Sequence, residues 1–349
     1  MSDLPDLIDS PAAWFGRDLV GHTERWVRAL TEAEISELEA AAEGFLKTAD
    51  DIGEITAQRF ALPTLGPWLE DLRGQLQHGI GFSLIRGLPI ERLSIETAAA
   101  IFCGIGSHLG IARSQNAKGH MLGHVTDVGA DLSDPNVRIY QTSERQTFHT
   151  DSCDCVGLLC LREAMEGGDS LLVSTVTLYN EMRRRAPELA DALFEPVPTD
   201  RRGEVPDGEK PYFEIPVLNW YGGNLTGLYQ RTYINSSQRF DDAPRLTDTQ
   251  IAALDLFDDI ANDPEVHLRM RLAPGDMQFV YNHTLLHDRT GFRDWPEPDK
   301  RRYLLRLWLA LPDDRALPPA FKQRYGRIDI GDRGGIITSK TELHVSLVP

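Results

Sequence analysis

The sequence predicts a mainly β protein with an α-helical layer at its N-terminal side, and two observations support this prediction. From residue 137 onward, short apolar segments alternate with Gly and Pro turns, which is typical of a β-sandwich or barrel. Before residue 135, most apolar residues recur at helical spacing. The composition, 41% hydrophobic and 26% charged, is ordinary for a globular protein. Without an obvious linker or repeat, we expect residues 1–349 to form one domain.

The N-terminal layer, residues 1–135, is predicted to contain three helices, one strand and a long loop. The helix-start signals are a capping box, a first-turn proline and a serine cap, each before apolar residues at helical spacing. Segment 113–134 is rich in Gly, Asn, Asp and His, and a loop of this length usually serves as a lid or binding loop. The helices are predicted to begin near Thr31, Pro67 and Ser94, and the strand to cover residues 81–86.

Residues 136–312 are predicted to form the β-core, interrupted by two helical inserts. One insert covers residues 177–185 and continues after a proline, and the other begins at Thr247 with Gln250 as its capping partner. The tail, residues 313–349, is too irregular for its elements to be predicted. The predicted strands are residues 137–141, 156–161, 170–174, 212–218, 268–272, 277–281 and 302–311.

The net charge argues against two classes of partner. With 36 Lys and Arg against 53 Asp and Glu, the chain has a formal net charge of −17, opposite to the basic surfaces that bind nucleic acid or anionic membranes. No stretch approaches the roughly 18 apolar residues of a membrane span. We therefore expect a cytoplasmic protein with no nucleic-acid partner and no membrane contact. The sequence leaves the oligomeric state open, and a homo-oligomer is one option.

The most informative pair of residues is His149 and Asp151. On an extended segment, side chains two residues apart point to the same face, so this imidazole and this carboxylate can share one metal ion. A second histidine, His287, follows the predicted strand 277–281. Two His and one carboxylate with open positions form the facial triad of non-heme Fe(II) oxygenases. The alternative for so short a pattern is a capped turn beside a core histidine.

Other potential ligands carry a weaker signal. His120 and His124 lie four residues apart, but the neighbouring glycines disfavour the helix that would align them. Cys153 and Cys155 directly follow the His-Asp pair, in a spacing unlike C-x-x-C. Four cysteines in a long chain are too few for a disulfide framework. We expect reduced, buried thiols.

Two arginines indicate a binding place for an anion. In the predicted strand 302–311, Arg302 and Arg306 share one face. A buried arginine is costly unless an anion pairs with it, and its planar fork fits a carboxylate. The turn before Ser170 offers a hydroxyl that can bind the same carboxylate. The alternative is that both arginines are surface charges on an edge strand.

Together these segments resemble the TauD/TfdA family of Fe(II)- and 2-oxoglutarate-dependent dioxygenases, to which taurine dioxygenase belongs. The resemblance extends from about residue 80 to residue 311, in the order that the family shows. It is carried by Phe148-His149-Thr150-Asp151, by Gly167-Gly168-Asp169-Ser170, by Asn282 to His287 followed by Asp288-Arg289-Thr290, and by Arg301 to Arg306.

The resemblance implies a fold, two cofactors and a set of site residues. The fold is a double-stranded β-helix, that is, a jelly-roll or cupin-like core, within residues 136–312. The cofactors are Fe(2+) and the cosubstrate 2-oxoglutarate. The implied iron ligands are His149, Asp151 and His287; Ser170 and Arg302 bind the distal carboxylate of 2-oxoglutarate, and Arg306 lies near its metal end.

The implied reaction is oxidation of a small organic substrate by O2, with release of succinate and CO2. Because Asp151 fills the third ligand position, no site is left for chloride, so we expect hydroxylation or a related oxidation and not halogenation. For the substrate, the aromatic stretch around Tyr229 and Arg231 offers a pocket wall and one cation. Ordinary sheet packing explains that stretch equally well.

Two other classes of protein compete with this interpretation. A catalytically silent jelly-roll protein would bind a metal or small ligand for structure or regulation. A zinc hydrolase would share the metal ligands but have no use for an inward Arg302. The presence of His149, Asp151, His287 and Arg302 in one chain favours the dioxygenase, because a silent relative has no need of both metal ligands and a cosubstrate anchor.

Overall fold

The computed structural model describes residues 4–130, 138–339 and 341–349. The helices are α1 (Gly16–Leu19), α2 (Glu32–Leu46), α3 (Gly66–His78), α4 (Ile95–Leu109), α5 (Thr175–Arg185), α6 (Pro187–Ala192), α7 (Arg231–Ser237), α8 (Asp248–Asn262) and α9 (Lys322–Tyr325). The strands are β1 (Val27–Ala29), β2 (Phe82–Arg86), β3 (Ile111–Ala112), β4 (Leu122–Val125), β5 (Gln146–His149), β6 (Cys155–Arg162), β7 (Glu166–Gly167), β8 (Ser170–Ser174), β9 (Pro196–Asp200), β10 (Tyr212–Pro216), β11 (Leu218–Tyr221), β12 (Asn224–Gly227), β13 (Leu268–Met270), β14 (Met277–Tyr281), β15 (Leu285–Arg289), β16 (Phe292–Arg293), β17 (Tyr303–Ala310), β18 (Ile328–Asp329) and β19 (Asp332–Arg333).

The long helices begin where their capping signals predict. The hydroxyl of Thr31 accepts a hydrogen bond from the backbone N–H of Glu34, which closes the capping box of α2. Pro67 lies in the first turn of α3, and Ser94 caps α4. Thr247 forms a second capping box at α8. These local signals satisfy backbone N–H groups that would otherwise lack partners, and the four predicted helix starts are confirmed.

The larger sheet contains seven strands in the order β1-β2-β14-β6-β17-β3, with β4 also paired to β17. The inner strand β17 of this sheet is buried along its whole length. Because strand side chains alternate, Leu305, Leu307 and Leu309 pack against α2, α3 and α4. Leu304 and Trp308 point the other way, into a separate cluster. The even-numbered face of β17 therefore lines the space between the two sheets.

The smaller sheet contains four strands in the order β13-β8-β15-β5, all antiparallel. Its outer face, with Val173 and Leu286, packs against α5 and α8. Its inner face, with Leu172 and Leu285, shares one apolar cluster with Leu304 of the larger sheet. The layers are thus helices, large sheet, small sheet and helices. Within the described residues, no helix is long and apolar enough to cross a membrane.

The balance of helix and strand corrects the predicted fold class. Helices cover both outer faces of the two sheets, so the fold is mixed α/β with a large sheet, where the sequence predicted a mainly β protein. The helices that the sequence did not predict are α1, α7 and α9, of four to seven residues. So few turns give no clear apolar period, and their positions are set by tertiary packing.

Segment 113–134 is not wholly a loop. It contains β4, which pairs with β17, whereas residues 131–134 lie outside the described part of the chain. The predicted strand 137–141 is also wrong where it is described, because Ile139–Gln141 form a 3-10 turn. The hydroxyl of Thr142 closes this turn by donating to the Ile139 carbonyl at 2.9 Å. Residue 137 lies outside the described residues.

The described part of the C-terminal tail, which the sequence left unplaced, packs against the rest of the molecule. Phe321 and Tyr325 pack on Phe213 and Ile215 of β10. Arg333 is completely buried and pairs with two aspartates. The tail therefore forms part of the folded core.

Candidate active site

His149 and His287 are brought together by strand pairing. His149 ends β5 and His287 lies in β15, and the two residues are direct partners in the antiparallel ladder. Their ring centroids are 4.1 Å apart. Both side chains lie on the inner face of the smaller sheet, because the neighbouring Phe148 and Leu286 point into the outer cluster. A pair that is 138 residues apart in sequence is thus adjacent in space.

Asp151 completes the cluster, although it lies beyond the end of β5. Its Oδ1 is 4.0 Å from His149 Nε2, and its Oδ2 is 3.8 Å from His287 Nε2. The three ligand atoms lie within 4.8 Å of one another. The side-chain oxygen of Asn282 accepts a hydrogen bond from the Asp151 backbone N–H at 3.3 Å. A turn fixed by this contact, and not continued strand alternation, directs the carboxylate towards the histidines.

Two residues of β17 stabilise the charge of Asp151. Trp308 donates its indole N–H to Asp151 Oδ2 at 2.8 Å, and the Arg306 guanidinium lies 3.2 Å from the same oxygen. Burial alone would raise the pKa of the Asp151 carboxyl, but the charge of Arg306 and the hydrogen bond from Trp308 oppose burial, and the pKa is lowered to about 2. The carboxylate is therefore anionic at neutral pH.

The two histidines are neutral at the same pH. Burial, together with neighbouring positive charge, lowers the pKa of His287 to about 3, and burial also lowers the pKa of His149. His149 donates its Nδ1–H to the Thr147 carbonyl at 2.8 Å, which leaves the lone pair on Nε2. The amide nitrogen of Gln146 lies 2.9 Å from that Nε2. Gln146 has to release this nitrogen before a metal ion binds. Neutral imidazoles and an ionised carboxylate are the forms that a divalent metal ion requires.

The donor set of this cluster fits Fe(II). Two imidazoles and one carboxylate on one side of a metal leave the facing positions free, which is the arrangement of non-heme Fe(II) oxygenases. A second cluster within the described residues, Asp154, His283 and Asp314, does not fit a metal, because the Arg333 guanidinium lies between the two carboxylates, at 2.7 and 2.8 Å.

The remaining candidate ligands are engaged elsewhere. His124 has both ring nitrogens in hydrogen bonds, to Tyr303 Oη at 2.6 Å and to the Ser346 carbonyl at 2.9 Å. His120 packs edge-on against His344. Cys153 and Cys155 are free and buried, as predicted. None of these residues belongs to a metal-type cluster in the described part of the chain.

The cavity beside His287, here called the inner cavity, contains the predicted cosubstrate residues. Arg302 and Ser170 line it together with Arg306. The Arg302 side chain is buried, and its Nη1 has no hydrogen-bond partner in the described part of the chain. Burial lowers the pKa of Arg302 to about 10, so the guanidinium is still charged at neutral pH. A buried, charged donor without a partner is a favourable place for an anion.

Sequence reasoning missed two residues near this cavity. Arg289 lines it, and its buried Nε lacks a partner within the described residues; the only signal was its position two residues after His287. Gln278 accepts a hydrogen bond from the Ser170 hydroxyl at 3.1 Å, so the proton of this hydroxyl is already engaged. The contact between Ser170 and Gln278 could not be read from the sequence, because it joins strands that are distant along the chain.

The cavity on the other side of His149 and Asp151, here called the outer cavity, is lined by Tyr229 but not by Arg231. Arg231 forms ion pairs with Asp255 at 2.5 Å and Asp258 at 2.9 Å. The Tyr229 hydroxyl also donates to Asp258, at 2.6 Å. The two aspartates already neutralise the charge of Arg231. The structure therefore gives no support to its predicted role in binding a substrate anion.

Two facing sheets, with a two-histidine, one-carboxylate cluster and a buried arginine between them, define the class of non-heme iron oxygenases. Comparison with known proteins then identifies the family. Residues 46–308 match the family described as "Taurine catabolism dioxygenase TauD, TfdA family", and the chain belongs to this family.

Similar proteins support the assignment. The chain is 32% identical to FR-33289 synthase from Streptomyces rubellomurinus (strain ATCC 31215) over 89% of this chain and 93% of that protein. It is 30% identical to the taurine hydroxylase-like protein SAT17 from Stachybotrys chartarum (strain CBS 109288 / IBT 7711) over 92% of this chain and 84% of that protein. Among solved structures, asparagine oxygenase in complex with Fe(II), 2S,3S-3-hydroxyasparagine and succinate has a similar fold, with a TM-score of 0.63, 19% identity and coverage of 82% of this chain and 93% of that one.

These findings confirm the resemblance that the sequence motifs indicated. They also confirm the class of enzyme, a dioxygenase that uses Fe(II) and 2-oxoglutarate.

Proposed function

We propose that this dioxygenase uses His149, Asp151 and His287 to hold Fe(II) and oxidises a small organic substrate with O2, releasing succinate and CO2. The observation that carries the proposal is the metal-type cluster of these three side chains, with Arg302 beside it, whose Nη1 has no hydrogen-bond partner among the described residues. Hydroxylation is the expected outcome, because the protein itself supplies all three ligands of the triad.

When bound there, Fe(II) would supply the activation of O2 that is coupled to decarboxylation of 2-oxoglutarate. The protein's own residues perform three tasks. His149 and His287 offer neutral imidazole lone pairs, as their lowered pKa values require. Asp151 offers a carboxylate whose charge is balanced by Arg306. The apolar cluster between the sheets excludes water from the reacting atoms.

The inner cavity is the proposed 2-oxoglutarate site. Arg302 would take the distal carboxylate through its free Nη1, and Ser170 would add its hydroxyl by releasing Gln278. The ring of Phe292 lies 5.2 Å from the Arg302 guanidinium carbon and supports its plane. Arg306, next to Asp151, lies at the metal end of the same cavity.

We propose that the two facing sheets form the jelly-roll core of this enzyme and that residues 1–349 fold as one domain. The shared apolar cluster between the sheets supports the first point. The second is supported by a core that joins α2 to α4 of the N-terminal layer with β6, β14 and β17, and by the burial of Arg333 from the tail.

Anaerobic spectroscopy tests the proposed site. Fe(II) and then 2-oxoglutarate are added to the apoprotein, and the weak visible charge-transfer band of a chelated 2-oxo acid is recorded. We expect the band in the wild type and no band in His149→Ala. In Arg302→Gln, half-saturation should need at least about tenfold more 2-oxoglutarate, because a charge-assisted hydrogen bond is lost.

If the wild type binds Fe(II) but gives no band at any 2-oxoglutarate concentration, the inner cavity is not a cosubstrate site. The chain would then be a metal-binding relative without this chemistry. Equal 2-oxoglutarate affinities for the wild type and Arg302→Gln would instead contradict the role of Arg302 alone.

A further inference from the structure

Some of the arginines that line the outer cavity are neutralised by a carboxylate of the described residues, and one is not. Arg306 pairs with Asp151, and Arg138 forms an ion pair with Glu204. Arg324, from α9, has no carboxylate within ion-pair distance in the described part of the chain. Its Nε–H donates to the hydroxyl of Ser152 at 2.7 Å. Arg324 is thus the cation of this cavity whose charge is not neutralised by a described residue.

The position of Arg324 connects it to the proposed metal site. Its hydrogen-bond partner Ser152 directly follows Asp151, and all three residues line the outer cavity together with His149. No hydrogen bond from either terminal nitrogen of Arg324 is formed within residues 4–130, 138–339 and 341–349. The two parallel donors of the guanidinium fork are therefore available to a ligand that occupies the cavity.

Maintaining this cation has a cost that the fold does not offset. Burial, with the nearby charge of Arg138, lowers the pKa of Arg324 to about 10, so the side chain is still charged at neutral pH. Arg324 is partly buried, and a partly buried charge without a counter-ion among the described residues opposes folding. The chain as a whole carries a net charge of −17, so this local positive cavity would attract a small anion that the rest of the surface repels.

A second unpartnered group in the outer cavity points to a polar ligand. The side-chain oxygen of Gln230 is buried and has no hydrogen-bond partner among the described residues. Gln230 lies beside His149, with which it forms an isolated β-bridge. A buried acceptor of this kind is normally satisfied in the functional state. Thr199 and Tyr233 add further polar groups to the wall.

We propose that the substrate of this enzyme carries an oxyanion, and that Arg324 binds this group in the outer cavity while Gln230 accepts a hydrogen bond from another part of the same molecule. The shared chemistry is that of a carboxylate, sulfonate, phosphonate or phosphate group. The inference rests on the proposed function, because only an active dioxygenase would use the bound anion as its substrate. Anion binding at Arg324 does not require iron or 2-oxoglutarate.

Calorimetric titration tests the anion site separately from catalysis. The apoprotein is titrated with acetate, methanesulfonate and methylphosphonate, which represent the alternative groups. We expect at least one probe to bind the wild type, and to bind Arg324→Gln at least about tenfold more weakly. Arg324→Lys should retain part of the affinity, and the probe with the highest affinity identifies the class of anion.

Arg184→Gln is the matched control, because it removes the same charge from a helix surface where Arg184 pairs with Glu181. It should bind the probes as the wild type does. The unfolding temperature provides a second readout. If Arg324 had a structural role, its replacement would lower this temperature. We expect Arg324→Gln to unfold at the same temperature as the wild type or a higher one, because a partly buried charge without a counter-ion among the described residues is removed.

Three results would overturn the inference: no probe binds the wild type, Arg324→Gln binds as tightly as the wild type, or Arg184→Gln loses affinity equally. The Fe(II)–2-oxoglutarate band is recorded in parallel. If the wild type binds a probe but gives no Fe(II)–2-oxoglutarate band, the proposed function alone is rejected. An intact band without probe binding would reject the oxyanion site alone.

Discussion

At the scale of single residues, the site depends on how one carboxylate is held. Asp151 lies outside regular secondary structure, and its orientation comes from Asn282, Trp308 and Arg306. Partners of this kind orient a metal ligand and set its basicity. Of the two β17 residues that contact Asp151 Oδ2, Trp308 is the neutral one, so its removal changes a hydrogen bond without changing the net charge.

Replacing Trp308 by phenylalanine tests this contact. We expect Trp308→Phe to bind Fe(II) about tenfold more weakly, because the loss of such a partner typically costs about 10- to 100-fold in metal affinity. The measurement is anaerobic competition with a chromogenic Fe(II) chelator. Trp295→Phe is the control, since Trp295 is 38% exposed and should leave the affinity unchanged. Equal affinities for both variants would contradict the assigned role.

At the scale of elements, the turn between β7 and β8 limits the space around Arg302. Gly167 and Gly168 both adopt positive φ, at 74° and 75°, a region that side chains rarely enter. A Cβ on Gly168 would lie 2.9 Å from Arg302 Nε. The glycine is therefore needed for two reasons, its backbone conformation and the close approach of the arginine.

The two reasons can be separated with a matched pair of variants. Gly168→Ala should strain the turn and displace Arg302, and we expect the KM for 2-oxoglutarate to rise about tenfold, the value of a partly lost charge-assisted hydrogen bond. Gly208→Ala has the same type of backbone strain, with φ of 80° and no atom within 4 Å of the added Cβ. It should lower stability by about 1 kcal/mol and leave the KM unchanged.

A KM for 2-oxoglutarate that rises equally in both alanine variants would show that general destabilisation, and not the position of Arg302, is responsible. Thermal unfolding of both variants under the same conditions makes the comparison quantitative.

At the scale of the whole molecule, the tail is tied to the strands of the site by a buried ion network. Arg333 bridges Asp154 and Asp314, and His283 lies 2.8 Å from Asp154. Asp154 follows Asp151 by three residues, and His283 precedes His287 by four. The network therefore joins the tail to both segments that carry the proposed metal ligands.

Breaking the network should destabilise the whole fold. We expect Arg333→Met to lower the free energy of unfolding by about 3–5 kcal/mol, because two buried carboxylates lose their counter-ion. Urea denaturation measures this loss. Arg327→Met is the control, since the Arg327 side chain is 68% exposed and pairs with an exposed Asp332; its effect should stay within about 0.5 kcal/mol. Similar losses in the two variants would show that the network does not stabilise the fold.

The sequence by itself determined the features that are local or periodic. Capping signals at Thr31, Ser94 and Thr247 fixed helix starts, because a cap involves only residues of the first turn. Strand alternation over residues 302–311 predicted that Arg302 and Arg306 share a face, and both line the inner cavity. The residue types of the proposed metal ligands and their order along the chain were also visible, since chemistry restricts which side chains can bind iron.

Tertiary structure alone decided which distant groups meet. Arg231 looked available in the sequence, but Asp255 and Asp258 neutralise it, whereas Arg324 came from a tail without a clear pattern. The number of helices was underestimated because the short ones are stabilised by packing and not by periodicity. The physical reason is the same throughout: charge neutralisation and burial depend on contacts between residues far apart in the chain, and local sequence carries no record of those contacts.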